Sequence, residues 1–475
     1  MKHIHFIGIG GTGVSAIARV LLESGYTISG SDRQFSPLAQ ALQSAGARVF
    51  VGHRPENISG ADLIVRSSAV PDDNVEVQAA LAAGIPVLKR ADFLGQLMEG
   101  RQGIAIAGTH GKTTTTAMIA WMLTELRQDP TFIVGGVITN LGTNARAGRG
   151  PFFVIEADEY DRMFLGLKPH IAIVTNVEHD HPDIYPAPED FHQAFRDFVG
   201  CLPPGGLLLA CGDDPGAMSL LPVAEANGSR SLTYGISATL CDYTVRNLTP
   251  SMAGGFAFDA YHGETRLAHV ALQVPGKHNA QNALAALALA DQLDLPLTDA
   301  ALALSEFCGT GRRFEVVGEA RGVTLIDDYA HHPTEIRATL AAARSRYPDR
   351  DLWAVWQPHT YSRTQTLFDE FAAAFDDAQH VLVTEVYRAR EPFDPNFSAI
   401  QVVDAMGHPD AHFVPDLAAA AKFLLARLQP GDVMLVLSAG DADQISARVL
   451  AAHRMNSGAG TENMLKHVDA PFFLE

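Results

Sequence analysis

Short apolar runs alternate with amphipathic, helix-forming segments from the start of the chain. This pattern predicts a buried strand at residues 2–9, a turn and helix at 10–24, and a second strand at 26–31 that ends at Asp32. Further short strands are predicted at 47–51, 63–67 and 87–88. Because strands that alternate with helices form parallel sheets covered by helices, these residues are expected to form one small α/β domain.

The pattern starts again after a predicted break at residues 100–103. A strand at 104–107, a glycine-bearing loop at 108–113 and a helix at 114–127 open a second α/β domain. Later elements of this domain are predicted strands at 152–155, 171–175 and 207–210 and an alanine-rich helix at 279–293. A third α/β unit is predicted from strands at 323–327, 352–356, 380–385 and 433–437.

The predicted domain boundaries are 1–101, 102–311 and 312–454. A length of 475 residues agrees with this division, since domains average about 100–200 residues. Residues 455–475 contain a Ser-Gly-Ala-Gly stretch and no clear period, so they are predicted to be a disordered tail.

Composition and charge exclude several classes of protein. No apolar run approaches the length of a membrane helix, and the N-terminus lacks the apolar segment of a signal peptide, so a cytoplasmic protein without membrane insertion is expected. The formal net charge of −19 opposes binding to nucleic acid. The cysteines are far apart and form no CxxC pair, so they are expected to be reduced packing residues: Cys201, Cys211, Cys241 and Cys308.

The most specific feature is residues 108–116, GTHGKTTTT, between a predicted strand and a predicted helix. Small residues there allow backbone N–H groups to surround a phosphate chain. Lys112 is expected to reach the β- and γ-phosphates, and the Thr113 hydroxyl is expected to bind Mg²⁺. The spacing differs from the general P-loop pattern, because Ile106 stands five residues before Gly111. The motif predicts nucleotide binding, with a structural turn as the alternative.

A second glycine-rich loop, GIGGTG at residues 8–13, follows the first predicted strand. Together with Asp32 at the end of the next strand, it matches the dinucleotide-binding fingerprint. A parallel sheet also needs glycine for tight turns, so packing alone is the alternative. Two such loops in consecutive domains indicate two different phosphorylated ligands.

Acidic and imidazole side chains follow two more predicted strands, as EADEYD at 156–161 and HDH at 179–181. If these strands are adjacent and parallel, both clusters lie beside the phosphate loop. Glu156 and His181 are therefore candidate Mg²⁺ ligands, although Mg²⁺ prefers oxygen to imidazole nitrogen. The alternative is that these are solvated loop residues.

Two polar strings in the third domain, DDYAHHPTE at 327–335 and QPHTYSRT at 357–364, also follow predicted strands, which are expected to be neighbours. Arg363 is the only arginine in the second string and is a candidate carboxylate clamp. His331, His332 and His359 are expected to cluster beside it. This grouping favours a pocket for a small carboxylate-bearing substrate over satisfied core histidines.

Taken together, these strings resemble the Mur ligase family over about residues 2–452. The matching motifs are GIGGTG, GSD at 30–32, SSAV at 67–70, GTHGKTTTT, NLGTNAR at 140–146, EADE, TNVEHDH, GKHNAQNALAA, GTGRRFE, DDYAHHPTEI and QPHTYSRT. The resemblance implies three α/β domains: a Rossmann-like N-terminal domain, a central P-loop domain with a parallel or mixed sheet, and a Rossmann-like C-terminal domain. These domains would bind a UDP-sugar, ATP and an amino acid, respectively.

The resemblance also implies roles for individual residues. ATP would be bound by Gly108, Thr109, His110, Gly111, Lys112, Thr113, Thr114, Asn279, Asn282, Arg313 and Asp328. The UDP-sugar would face Gly10, Gly11, Thr12, Gly13, Asp32, Ser67, Ser68 and His110. The amino-acid site would contain Tyr329, His331, His359 and Arg363, and Mg²⁺ would be held by Thr113, Glu156 and His181. The catalytic residues would be Lys112, His331, His359 and Arg363.

The function implied by the resemblance is ATP-dependent joining of L-alanine to the carboxylate of UDP-N-acetylmuramate, through an acyl phosphate, in peptidoglycan precursor synthesis. A monomer or homodimer is expected. Three features depart from the alanine-adding pattern. Tyr160 replaces the serine of EADES, as in the murein-tripeptide-recycling ligase, and Thr360 replaces the arginine of QPHR. The glycine-rich string expected near residues 438–441 is also altered. That ligase is the first alternative, although QPH with YSRT favours addition of a single residue.

Two alternatives come from other classes of protein. An NAD-dependent oxidoreductase built on residues 8–13 would leave the GKT loop unexplained. A nucleotide-driven binding switch would leave Glu156, His181 and Arg363 without a task.

Overall fold

The computed structural model describes residues 2–238 and 240–455. The N-terminal domain contains β1 (His3–Ile7), α1 (Thr12–Glu23), β2 (Thr27–Asp32), α2 (Pro37–Ser44), β3 (Arg48–Val51), β4 (Leu63–Arg66), α3 (Val75–Ala82), β5 (Val87–Lys89) and α4 (Arg90–Leu97). Its five strands form a parallel sheet in the order β3-β2-β1-β4-β5. The glycine-rich loop joins the central strand, β1, to α1.

The central domain begins with β6 (Gln102–Ala107), α5 (Lys112–Glu125), β7 (Thr131–Ile138), β8 (Thr143–Arg146), β9 (Phe152–Glu156), β10 (Ile171–Val174), α6 (Pro188–Val199) and β11 (Leu207–Cys211). It continues with α7 (Pro215–Met218), α8 (Leu221–Ala226), β12 (Arg230–Gly235), β13 (Tyr243–Pro250), β14 (Phe256–His262), β15 (Thr265–Ala271), α9 (Lys277–Gln292) and α10 (Leu297–Ser305). The sheet order is β15-β14-β13-β12-β11-β10-β6-β9-β7-β8. Its middle is parallel, whereas β13–β15 and the β7–β8 pair are antiparallel.

The C-terminal domain contains β16 (Glu315–Ala320), β17 (Val323–Asp328), α11 (Pro333–Arg346), β18 (Leu352–Trp356), α12 (Tyr361–Thr366), α13 (Phe368–Ala372), β19 (His380–Val383), α14 (Ile400–Ala405), β20 (Ala411–Phe413), α15 (Leu417–Leu425), β21 (Val433–Leu437) and α16 (Asp443–Met455). The sheet order is β16-β17-β21-β18-β19-β20. Only β16 is antiparallel to its neighbour in this sheet.

The apolar residues are distributed differently between the domains. The N-terminal and central domains share one continuous core, in which Phe6 and Phe93 pack edge to face. The C-terminal sheet has a core on each face: Leu435 and Leu437 point to one, and Met434 points to the other. This alternation explains the uninterrupted apolar run of β21, because a strand covered on both faces has no solvent side.

The structure confirms the predicted three-domain α/β fold. Two expectations about strand neighbours are wrong. β9 and β10 lie on either side of β6, and β17 and β18 lie on either side of β21. In both cases a third parallel strand enters between two strands that are closer to each other along the chain.

The sequence pattern missed several strands, and one predicted segment lies almost wholly outside the described residues. The pattern missed β7, β8, β12–β16 and β20, which are edge or hairpin strands for the most part. The tail predicted at 455–475 lies outside the described residues, except for residue 455, which ends α16. Within the described part of the chain, no helix is both long and apolar enough to cross a membrane.

Candidate active site

The loop between β6 and α5 lies tightly against the end of β10. Gly108 has a φ of 134° and Gly111 a φ of 82°, conformations that favour glycine. A Cβ atom on Gly108 would lie 2.0 Å from Thr175 Oγ1 and 3.0 Å from the backbone nitrogen of Asn176. The close approach requires glycine and holds the loop at the N-terminus of α5, where anions are stabilised.

Lys112, the first residue of α5, is surrounded by acceptors. Its Nζ donates to the backbone oxygens of Gly108 at 2.5 Å and Thr109 at 3.0 Å. It also lies 2.9 Å from the carboxylate of Glu159. Burial disfavours the charged ammonium, but the carboxylates, Glu159 foremost, outweigh burial and raise the pKa of Lys112. The raised pKa keeps this lysine of the phosphate loop charged at neutral pH.

Thr113 and Glu156 form an oxygen-rich pair beside this lysine. Thr113 Oγ1 donates to Glu156 Oε1 at 2.9 Å, and the backbone nitrogen of Gly135 donates to Oε2 at 2.7 Å. A Cβ atom on Gly135 would lie 2.6 Å from that oxygen, so glycine makes room for the carboxylate. Burial raises the pKa of Glu156 in spite of the opposing charge of Lys112.

His181, the third predicted Mg²⁺ ligand, contacts other groups. Its Nε2 lies 3.5 Å from Glu159 Oε1, and its Nδ1 lies 3.3 Å from Arg363 Nη2. The expectation that Glu156 and His181 follow adjacent strands is wrong, because β6 separates them. Both residues still lie at the carboxyl edge of the sheet, one on each side of the phosphate loop.

The four residues predicted for the amino-acid site are brought together. Arg363 is buried, and its Nε lies 2.7 Å from Asp180 Oδ1 in the central domain. Its Nη1 lies 3.0 Å from His359 Nδ1. The ring centroid of His331 is 5.9 Å from that of His359 and 5.3 Å from that of Tyr329. Arg363 was predicted as a carboxylate clamp, and in the structure Asp180 already occupies one edge of its guanidinium.

His331 and His359 are neutral imidazoles. Burial lowers the pKa of His331 to about 4, and burial together with the nearby Arg363 charge holds the pKa of His359 well below its usual range. His331 Nδ1 lies 2.9 Å from the backbone oxygen of Tyr329, which can only accept a hydrogen bond. The proton is therefore on Nδ1, and Nε2 is the basic nitrogen of His331.

His110 connects the phosphate loop to the C-terminal domain. Its Nε2 lies 2.8 Å from Glu178 Oε2, and its Nδ1 lies 3.3 Å from Glu335 Oε1. Thr334 Oγ1 adds a second link by donating to Glu178 Oε1 at 2.8 Å. Burial opposes a charged imidazole, but Glu178 and Glu335 outweigh it and raise the pKa of His110 to about 9. An imidazolium between two carboxylates thus spans the domain boundary.

Arg313 and Asp328 lie at the same boundary. Arg313 Nη1 is 3.5 Å from Glu335 Oε1, and its guanidinium lies 5.2 Å from the centre of the Tyr329 ring. Asp328 accepts a 2.7 Å hydrogen bond from the backbone nitrogen of Phe314. Burial raises the pKa of Asp328 to about 6. These contacts position both predicted ATP-site residues where the chain enters the third domain.

Asn279 and Asn282 lie near the start of α9 and are buried. Asn282 Nδ2 donates to Asn279 Oδ1 at 3.1 Å. A Cβ atom on Gly111 would lie 3.1 Å from Asn282 Oδ1, so α9 packs directly against the phosphate loop. The structure therefore brings this predicted pair to the loop it was expected to serve.

In the N-terminal domain, the second glycine-rich loop is braced by the predicted acid. The backbone nitrogen of Gly10 donates to Asp32 Oδ2 at 2.8 Å. A Cβ atom on Gly8 would lie 3.1 Å from the Cβ of Ser67, so β4 ends against the loop. Ser68 is exposed beside it. Among the other predicted residues, Gly11 is the N-cap of α1, and Thr12 and Gly13 are its first residues.

Sequence reasoning missed several charged residues of the site. Glu159, Glu178, Asp180 and Glu335 lie inside the quoted motifs, but only the fold shows which cations they face. Arg90 gave no motif signal. A Cβ atom on Gly13 would lie 1.7 Å from Arg90 Nη1, which means that this guanidinium lies directly over the glycine-rich loop.

Three family models match consecutive parts of the chain. "Mur ligase family, catalytic domain" matches residues 3–102, "Mur ligase middle domain" matches 106–290, and "Mur ligase, glutamate ligase domain" matches 312–440. The fold and the site define an ATP-dependent ligase that is assembled from three α/β domains. The chain belongs to the Mur ligase family.

Two relatives are similar to this chain over nearly its whole length. A UDP-N-acetylmuramate–L-alanine ligase from Roseiflexus castenholzii is 44% identical over 465 residues, covering 95% of this chain and 97% of the relative. The ligase of the same name from Roseiflexus sp. strain RS-1 is 45% identical over 473 residues, covering 96% and 100%.

Solved structures are similar over nearly the whole chain. The crystal structure of UDP-N-acetylmuramate-alanine ligase from Thermotoga maritima has a TM-score of 0.80 and 30% identity, covering 96% of this chain and 100% of that one. A murein peptide ligase from Psychrobacter arcticus has a TM-score of 0.70 and 27% identity, covering 95% and 98%.

Proposed function

We propose that this ligase joins L-alanine to the carboxylate of UDP-N-acetylmuramate, at the expense of ATP, in peptidoglycan precursor synthesis in the cytoplasm. The observation that carries the proposal is the position of Arg363, a carboxylate-binding side chain that lies beside Asp180 at the carboxyl edge of the P-loop sheet. A substrate held by this arginine lies close to the loop that binds phosphate. The names of the similar ligases support L-alanine as the amino acid.

Each domain has a separate task in this proposal. Residues 1–101 bind the UDP-sugar, residues 102–311 bind ATP, and residues 312–454 bind the amino acid. Gly10, Gly11, Thr12, Gly13, Asp32, Ser67 and Ser68 face the UDP-sugar. The ATP site contains residues 108–114, Asn279, Asn282, Arg313 and Asp328. L-Alanine lies among Tyr329, His331, His359 and Arg363.

The first chemical step makes the carboxylate reactive. A carboxylate oxygen of the UDP-sugar attacks the γ-phosphorus of ATP, the bond from that phosphorus to ADP breaks, and an acyl phosphate forms. Lys112 stabilises the charge that develops on the β- and γ-phosphates, because its ammonium is fixed and charged.

The second step forms the amide. The L-alanine nitrogen attacks the acyl carbon, and inorganic phosphate leaves with the electron pair of the broken carbon–oxygen bond. Arg363 holds the alanine carboxylate away from the acyl phosphate, which directs the amine toward it. His331 Nε2 carries no proton and can accept a hydrogen bond from the attacking amine, whose lost proton leaves with the inorganic phosphate.

Thr113 and Glu156 fit a magnesium ion, since a hydroxyl and a carboxylate meet beside the phosphate loop. We propose these two residues and His181 as its ligands. The ion would neutralise charge on the triphosphate when it is bound.

Phosphate release tests the function. Purified enzyme with ATP, Mg²⁺ and UDP-N-acetylmuramate is given L-alanine or the murein tripeptide in separate reactions. We expect phosphate release with L-alanine, with the ligated UDP-sugar seen by mass spectrometry. Release only with the tripeptide identifies a murein-tripeptide ligase, and release that needs no UDP-sugar identifies a nucleotide-driven switch. Either result contradicts the proposal.

A further inference from the structure

Asp180 of the central domain lies in the amino-acid site proposed for the C-terminal domain. Its Oδ1 accepts from Arg363 Nε at 2.7 Å, and its Oδ2 lies 3.3 Å from Arg363 Nη2. Both side chains are 4% exposed. The backbone nitrogen of His181 donates to Oδ1 at 2.7 Å, which fixes the carboxylate relative to the sheet. One edge of the guanidinium is thus held from another domain.

The other edge of Arg363, formed by Nη1 and Nη2, faces two imidazoles. Nη1 lies 3.0 Å from His359 Nδ1, and Nη2 lies 3.3 Å from His181 Nδ1. A guanidinium has five N–H donors in a rigid fork, so two edges can each bind one carboxylate. Asp180 takes the Nε–Nη2 edge, so a substrate carboxylate that binds Arg363 has to replace the imidazole contacts on the Nη1–Nη2 edge.

We propose that Asp180 is a positioning residue for the amino-acid substrate: it orients the Arg363 fork from the central domain, so that the carboxylate site is complete only when the two domains meet. This inference rests on the proposed function, in which Arg363 binds the alanine carboxylate. It adds a residue outside the amino-acid domain and explains how the ATP-binding sheet takes part in amino-acid recognition.

The Asp180–Arg363 ion pair has two separable effects: it stabilises the domain contact, and it orients the Arg363 fork. Breaking a buried ion pair lowers stability because a charge is left without a partner. That loss weakens the contact between the two domains and therefore affects all three substrates. Orientation of Arg363 affects only a substrate that carries a carboxylate. L-Alanine and L-alaninamide differ in this group alone, so the ratio of their kcat/KM values reports the alignment of the fork.

The test measures that ratio in Asp180→Asn, Arg363→Lys and the double variant. We expect Asp180→Asn to lower the preference for L-alanine over L-alaninamide by about tenfold or more, the effect of one charge-assisted pairing. The KM values for ATP and UDP-N-acetylmuramate should change by less than about twofold. The double variant should be no worse than Arg363→Lys, because Asp180 acts through Arg363. Asp190→Asn is the matched control, since it removes the same charge from an exposed side chain in the first turn of α6.

Several outcomes overturn the proposal. An unchanged ratio in Asp180→Asn, with a lowered ratio in Arg363→Lys, makes Asp180 only a domain contact. An equal rise of the KM values for ATP, UDP-N-acetylmuramate and L-alanine in Asp180→Asn leads to the same conclusion. If Asp180→Asn melts well below the unaltered enzyme, Asp180→Glu is measured, and it should retain part of the preference because the charge is kept. Absence of L-alanine turnover in the unaltered enzyme refutes the proposed function itself, a result distinct from the others.

Discussion

Lys112 and Arg363, the two cations proposed to meet the reacting groups, both have buried carboxylates as partners. Glu159 holds Lys112 at 2.9 Å, and Asp180 holds Arg363 at 2.7 Å. A buried cation without a partner would lose its proton or destabilise the fold. The acids therefore keep both groups charged and fixed in direction, which is what binding of phosphate and carboxylate requires.

Replacing Lys112 by alanine should lower the rate of phosphate release by roughly 10²-fold or more, because a fixed charge at the transferring phosphate is lost. The reaction is followed with ATP, UDP-N-acetylmuramate and L-alanine all at saturating concentrations. Lys168→Ala is the control, since this lysine is exposed and pairs with Glu99 at the surface. A Lys112→Ala enzyme with near-normal turnover contradicts the assignment.

Replacing Glu156 by glutamine tests the proposed metal site. The amide keeps the shape but is a weaker ligand, so we expect the Mg²⁺ concentration for half-maximal activity to rise by about tenfold or more. Glu125→Gln, an exposed acid at the end of α5, should leave it unchanged. If the Mg²⁺ requirement of Glu156→Gln matches that of the unaltered enzyme, the ion is held by other groups.

At the scale of elements, the sequence predicted the motifs at strand ends but not the order of the strands. Local apolar runs identify β6, β9 and β10, because their residues are buried on both faces. Their order depends on where each crossover helix packs, which is a property of distant residues. The antiparallel strands β13–β15 were missed because their polar and apolar residues are mixed at the sheet edge, as in the half-exposed β13.

In the site as well, local motifs could be interpreted from the sequence, whereas contacts between distant residues could not. Lys112, Glu156 and His331 could be proposed from the sequence because each lies in a motif with chemical meaning at fixed spacing. Asp180 and Arg90 could not be assigned a task, because their partners are far away in the chain. Contacts of this type follow from the packing of domains.

The phosphate loop gives a prediction about backbone conformation. In Gly108→Ala, the new Cβ atom would meet Thr175 at 2.0 Å and the strand end behind it, so we expect lost ATP-dependent turnover and a clear fall in the free energy of unfolding. Gly205→Ala is the control: its φ is also positive, at 79°, but nothing lies within 4 Å. Gly205→Ala should lower the free energy of unfolding by only about 1 kcal/mol, measured by urea unfolding. Equal costs at the two positions would show that the contact with β10 is unimportant.

At the scale of the whole molecule, the domains are joined in two different ways. The first two share an apolar core, whereas polar pairs join the third domain to the carboxyl edge of the central sheet: His110 with Glu335, Glu178 with Thr334, and Arg363 with Asp180. Polar interfaces of this type separate and re-form more easily than apolar ones. We therefore expect the C-terminal domain to be the one that moves during the reaction.

The charge of His110 predicts how pH affects this junction. Its pKa is about 9 in the folded protein, above the ordinary value of 6.5, so its stabilising effect is fully present below about pH 6.5 and is lost as the pH rises through 9. The difference in melting temperature between the unaltered protein and His110→Gln should shrink over this range. His192→Gln, on α6, is the control. A difference that stays constant to pH 10 would show that the imidazolium does not hold the domains together.

The carboxylate partner of Lys112 also bears on competition inside a cell. Inorganic phosphate and organic acids would bind to an unpartnered ammonium in the phosphate loop. Here such an anion gains little by replacing Glu159, because one ion pair is exchanged for another. A ligand that makes further contacts along the domain gains more. The ion pair thus favours ATP over small anions at Lys112.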